Sequence, residues 1–185
     1  VDRIQVRLLF IGPPGAGKGT QAGEVAARLG IPHISTGEMF RDHVARGTEL
    51  GRKVEAIMAA GDYVPDEVTV AMLAERIAQP DAGDGYILDG FPRTAAQVDS
   101  LDKLIGKDGL DRVVVFDVDE DELVERMLSR GRADDTEETI RNRFEIYREQ
   151  TQPLLDTYDA RGVTVSVSGI GDIAEVTERI LSSLR

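Results

Sequence analysis

Nine consecutive residues, Gly12-Pro13-Pro14-Gly15-Ala16-Gly17-Lys18-Gly19-Thr20, carry the clearest chemistry in this chain of 185 residues. Two glycines bracket four residues and a lysine follows, which is the spacing of a phosphate-binding loop. Apolar Leu8 to Ile11 leads into the loop, and a helical stretch leaves it toward Leu29. A buried strand, a glycine turn and a helix start aim several backbone N–H groups, and the positive end of a helix dipole, at one point. That point suits a polyphosphate, with Lys18 in reach of its β and γ groups. One position departs from the general pattern. Gly19 follows the lysine and the hydroxyl comes one place later, at Thr20, so no hydroxyl is assigned directly to magnesium. A dinucleotide fingerprint is excluded, because Thr20 stands where its third glycine would be. A turn that needed only glycine would have no use for Lys18, and the stretch predicts a bound nucleoside triphosphate.

Other residues suit the same chemistry. Asp89 ends the apolar run Tyr86-Ile87-Leu88, where a carboxylate beside polyphosphate would hold magnesium directly or through its waters. Offsets of three and four put Leu123, Arg126, Met127 and Arg130 on one helix face, and Ile140, Arg143, Phe144 and Tyr147 on another. Arginine on an inward apolar stripe needs an anion, and phosphate supplies one. The competing partners are Glu122 for Arg126 and Thr139 or Glu138 for Arg143; exposed pairs of that kind contribute about 0–1 kcal/mol. His33 and His43 read as ordinary strand-end and surface residues.

Composition narrows the remaining classes. Arginine outnumbers lysine 18 to 4, and the formal charge of -12 argues against a nucleic-acid surface, which needs a basic face. With no cysteine there is neither a disulfide nor a thiolate metal site. No run of about 18 apolar residues and no secretory pattern is present, which predicts a soluble, cytoplasmic protein without a membrane partner.

The elements that position these residues alternate. Strands are predicted at Ile4 to Ile11, His33 to Ser35, Tyr86 to Leu88, Val113 to Phe116 and Val163 to Val167. Helices are predicted at 20–29, 38–46, 50–60, 66–78, 95–105, 120–129, from about 135 to 158, and 173–184. For the long helix, Asp135 and Glu138 have the spacing of a capping box. Strands alternating with helices predict an α/β fold: a three-layer P-loop fold with a five-stranded parallel sheet and ligands at the strands' carboxyl ends. The length favours one domain, 1–185.

Five motifs in order give the chain a close resemblance to bacterial adenylate kinases: GPPGAGKGT at Gly12 to Thr20, ISTGEMFR at Ile34 to Arg41, GDYVPDE at Gly61 to Glu67, ILDGFPRTAAQ at Ile87 to Gln97, and RGRADDTEETIRNR at Arg130 to Arg143. The resemblance implies Mg2+-dependent interconversion of ATP and AMP with ADP, adenine nucleotide homeostasis, and a monomer. It implies an NMP-binding helical insert at 35–64 and a short lid at 130–136, both mobile. Only one glycine separates Arg130 from Arg132, so the lid is the short form and no zinc is expected. Gly15, Ala16, Gly17, Lys18, Gly19, Thr20, Arg126, Arg130 and Gly171 would bind ATP. Thr36, Arg41, Asp62, Tyr63, Val64, Gly90, Phe91, Pro92, Arg93 and Gln97 would bind AMP. Arg132 and Arg143 would reach the phosphates from the lid side and, with Lys18 and Arg93, form the catalytic set, while Asp89 would hold magnesium through water. A UMP/CMP kinase is the nearest alternative, and Gln97 weighs against it because an amide can pair with adenine as both donor and acceptor. A catalytically silent nucleotide-binding regulator would be expected to have lost Lys18, Arg93 or a lid arginine, and all are present.

Overall fold

The computed structural model describes residues 6–60, 64–131 and 135–185; of the residues named above, Ile4, Gly61, Asp62, Tyr63 and Arg132 lie outside that set. The first strand, β1 (Val6–Ile11), is the middle of a five-stranded sheet. Its neighbours are β3 (Gly85–Asp89) on one side and β4 (Arg112–Asp117) on the other, with β2 (His33–Ser35) and β5 (Thr164–Ser168) at the edges. Every pairing is parallel, so all five carboxyl ends share one edge.

Burial on both faces explains the uninterrupted apolar strands. Successive side chains alternate, and Leu8 and Phe10 enter one core while Leu9 and Ile11 enter the other. The first core takes Val25 of α1 (Lys18–Leu29), Leu123 of α6 (Glu120–Ser129) and Ile180 of α8 (Ile173–Ser183). The second takes Leu73 of α4 (Asp66–Ile77) and Leu101 of α5 (Ala95–Ile105). Between β2 and α4 lie α2 (Thr36–Arg46) and α3 (Glu49–Ala59), the helices of the predicted insert. They pack so closely that a Cβ on Gly51 would sit 2.0 Å from the His43 carbonyl oxygen.

The helix α7 (Glu137–Ala160) belongs to both layers. Its 24 residues span about 36 Å at 1.5 Å per residue. Ile140 and Phe144 pack into the first core, Leu154 and Tyr158 into the second. At its far end Arg161 makes a bidentate pair with Asp102 of α5, at 2.8 and 2.7 Å.

Two element boundaries differ from expectation in ways that matter. The helix α1 begins at Lys18, two residues before the predicted Thr20, so the lysine sits in the first turn. The capping box expected from Asp135 and Glu138 does not form. Thr136 caps α7 by accepting from the Thr139 N–H, and Asp135 is taken by arginines instead.

Tyr86 and Tyr158 are buried in the second core, and neither hydroxyl has a hydrogen-bond partner. Burial pushes the Tyr158 phenol up to about 12. A sealed hydroxyl without a partner costs about 1–3 kcal/mol relative to a satisfied one. Tyr158→Phe keeps the ring beneath the Arg161 guanidinium, 5.4 Å away, and is expected to raise stability by about 1 kcal/mol. Thermal unfolding should show a melting temperature about 2–4 °C higher; a decrease would mean that the hydroxyl is satisfied in solution.

Candidate active site

The loop after β1 is shaped by what surrounds it. A Cβ on Gly12 would lie 3.2 Å from the Phe116 Cβ, and one on Gly15, whose φ is +79°, would lie 3.0 Å from the Met127 Cγ. Gly17 precedes α1 with φ 80°, a left-handed conformation that favours glycine. No side chain caps α1 and no acidic residue occupies its first turn, so its leading N–H groups are left for an anion.

Asp89 is the last residue of β3, in register with Phe10 of β1 and Ser35 of β2. Its Oδ1 lies 2.8 Å from Lys18 Nζ and its Oδ2 lies 3.0 Å from His33 Nε2. Burial raises the pKa of this carboxyl, but the hydrogen bond from His33 and the charge and hydrogen bond of Lys18 outweigh it and leave the pKa below the usual range. Asp89 is therefore ionised at neutral pH. His33 is not the ordinary strand-end residue expected. It pairs with Ile87, two residues before Asp89, so the two side chains share one face of adjacent strands.

The segment after Asp89 turns back at Gly90, φ 92°, where a Cβ would lie 2.9 Å from Thr36 Oγ1 and 3.3 Å from an Arg93 terminal nitrogen. Thr36, Gly90 and Arg93 thus converge. Arg93 Nε donates to the Gly90 carbonyl at 2.8 Å, and its backbone N–H donates to Gln97 Oε1 at 2.7 Å. The Gln97 Nε2 donates to Asp66 Oδ1 at 2.9 Å, so this amide holds the turn and ties α5 to α4. Arg41 folds over Gly37 on α2, with a terminal nitrogen 3.3 Å from a Cβ built there.

On the opposite side a single carboxylate gathers two of the expected arginines. Asp135, its side chain 1% exposed, accepts from Arg130 at 3.1 Å through Oδ2 and from Arg143 at 3.2 Å through Oδ1. Arg126 takes the competing partner, Glu122, at 2.9 Å. The glycine-rich stretch after β5 approaches the loop through Gly169, where a Cβ would come 3.7 Å from the Ala16 carbonyl; Gly171 follows two places on.

These elements enclose a cavity of ≈ 510 Å³ lined by the loop from Phe10 to Thr20, by Gly90, Pro92 and Arg93, and by Arg143, Tyr147, Gln150 and Thr151 of α7. Its size is that of a ligand pocket. A larger cavity of ≈ 920 Å³ lies between β2, α2, α3 and α4, but Thr36, Arg41, Gly90, Arg93 and Gln97 do not line it. The smaller one holds the chemistry. The α7 wall was legible only at Arg143 and, as part of an apolar face, Tyr147; Gln150 and Thr151 continue the same helical stripe toward Leu154. Arg126, Arg130 and Gly171 do not line this cavity, and of the described residues expected at AMP only Gly90, Pro92, Arg93 and Arg143 do; Thr36, Arg41, Val64, Phe91 and Gln97 lie outside its lining, as does Asp89.

A parallel five-stranded sheet with a phosphate-binding loop after its central strand, and basic side chains facing that loop, defines a P-loop phosphotransferase. The family model described as adenylate kinase matches residues 10–163. The chain is 52% identical over 181 residues to an adenylate kinase of Nocardia farcinica, covering 97% of this chain and 99% of that protein. It is 50% identical over 184 residues to one from Kocuria rhizophila, covering 96% and 98%. With an adenylate kinase of Thermobifida fusca it shares 48% over 186 residues, covering 97% and 98%. The chain belongs to the adenylate kinase family.

Proposed function

We propose that the ≈ 510 Å³ cavity is where the terminal phosphoryl group of ATP passes to AMP, giving ADP on both sides. One observation carries this reading: the cavity is lined at once by the donor loop with Lys18, by the turn that presents Arg93, and by Arg143 of α7. A phosphate oxygen of AMP attacks the γ-phosphorus, the bond from that phosphorus to the β,γ-bridging oxygen breaks, and its electron pair leaves with ADP. The attacking oxygen is already anionic at neutral pH, so no general base is required. The barrier lies in bringing two anions together and in stabilising the group in transit. Lys18, Arg93 and Arg143, with Arg132, are suited to that work.

The residues fit a magnesium ion carried in on the nucleotide. Asp89 offers one ionised carboxylate at the cavity's edge, and no group of three or more His, Asp or Glu side chains suited to a metal occurs among the described residues. Asp89 would hold the ion through its waters, and the ion would neutralise charge on the phosphates. The Gly15 to Thr20 backbone would cradle ATP, with Arg126, Arg130 and the Gly171 segment beside it. AMP would meet Thr36, Arg41, the 62–64 backbone, the turn from Gly90 to Arg93, and Gln97. Segments 35–64 and 130–136 would close over AMP and ATP and exclude water. Among the described residues no helix is long and apolar enough to cross a membrane. The resemblance adds a cytoplasmic monomer to this reading.

Acceptor choice tests the proposal. In a coupled assay of ADP formation, AMP should exceed CMP, UMP and GMP by at least 100-fold in kcat/KM, as expected where buried polar groups read the base. Comparable rates with CMP or UMP would overturn it in favour of a pyrimidine nucleotide kinase.

A further inference from the structure

Three tyrosines lie among the described residues, and none of their hydroxyls has a hydrogen-bond partner among those residues. Tyr86 and Tyr158 are sealed in the core. Tyr147 differs: it is half-buried, its ring packs against the second core, and it lines the cavity that holds Lys18 and Arg93. It stands one helical turn beyond Arg143, on the same face of α7.

We propose that Tyr147 is a phosphate-binding residue of this enzyme, its hydroxyl donating to an oxygen of the phosphoryl group in transit. Desolvation pushes the phenol up to about 12, so it remains a neutral donor through the physiological range. A neutral donor adds a hydrogen bond without adding to a chamber already rich in positive charge. In-line transfer spreads charge over three equatorial oxygens, so donors are needed from several directions, and α7 contributes Tyr147 beside Arg143. The packed ring fixes the donor in advance, so little reorganisation accompanies the reaction. Thr151, one turn further along α7, is buried and borders the same wall.

The proposal rests on the reading of the cavity as the place of transfer, and the experiment separates the two. Steady-state kinetics and thermal melts would be recorded for Tyr147→Phe, Tyr147→Leu and Lys18→Ala. The expected result is a kcat about 10–100-fold lower in Tyr147→Phe, with KM for ATP and AMP within about threefold of the parent. Its melting temperature should be unchanged or higher, because an unpartnered, partly desolvated hydroxyl has been removed. Tyr147→Leu should lose at least as much turnover. A purely packing role predicts the contrary, near-parental turnover in Tyr147→Phe with loss only in Tyr147→Leu, and that result would overturn the proposal. So would a kcat loss in Tyr147→Phe accompanied by a lowered melting temperature, or a rise in KM with kcat unchanged. If Tyr147→Phe is normal while Lys18→Ala is inactive, the tyrosine's role falls and the cavity reading stands. If Lys18→Ala keeps its turnover, both fall.

Discussion

Replacing Lys18 by alanine should lower turnover about 1,000-fold, at the upper end for loss of one oriented donor to developing charge. The position explains the size. Lys18 is the first residue of α1, so its ammonium leaves the backbone at the point where the helix N–H groups converge. It rests against Asp89 at 2.8 Å, with its side chain 25% exposed. A flexible lysine is thereby held in the cavity before any phosphate arrives. The fold should survive, because the two apolar cores do not draw on this side chain. Circular dichroism and a thermal melt would check that, and single-turnover ADP formation would read the chemical step. A variant with intact structure and turnover within tenfold of the parent would remove Lys18 from the mechanism.

Arg93→Ala should lower turnover by roughly 100-fold or more and raise KM for AMP. Of the cavity's cations, Lys18 is engaged by Asp89 and Arg143 by Asp135, whereas Arg93 uses Nε to hold the Gly90 carbonyl. Its terminal nitrogens make no hydrogen bond among the described residues, leaving the forked end for an anion. Arg93→Lys should recover only part of the loss, since an ammonium keeps the charge but cannot reproduce the fork. Steady-state kinetics with AMP varied would decide the matter. Equal activity in the alanine variant would exclude Arg93 from both binding and transfer.

The sheet was legible because its strands are continuous apolar runs separated by helices, and the phosphate-binding loop was legible because its glycines and lysine are contiguous. The order of the strands was not legible: each central strand is apolar on both faces and looks the same at any position. Site residues divide along similar lines. Lys18, Gly90 and Arg93, named from motif and resemblance, line one cavity. Asp135 was misread because an acid three places before Glu138 resembles a helix cap whatever else it touches, and its arginines come from opposite sides in sequence, five and eight residues away. His33 was dismissed because its importance depends on which strand lies beside β2. Arg126 took Glu122, four residues away, a partner that had been weighed against phosphate.

The straddling helix α7 bears on how such an enzyme can vary. Its middle turns form a wall of the reaction cavity, while Ile140 and Phe144 fasten it to one layer and Leu154 and Tyr158 to the other. The stretch just before α7 is tied to that wall, because its Asp135 holds Arg143. A change there that moved Asp135 would therefore release Arg143, a residue of the cavity's lining.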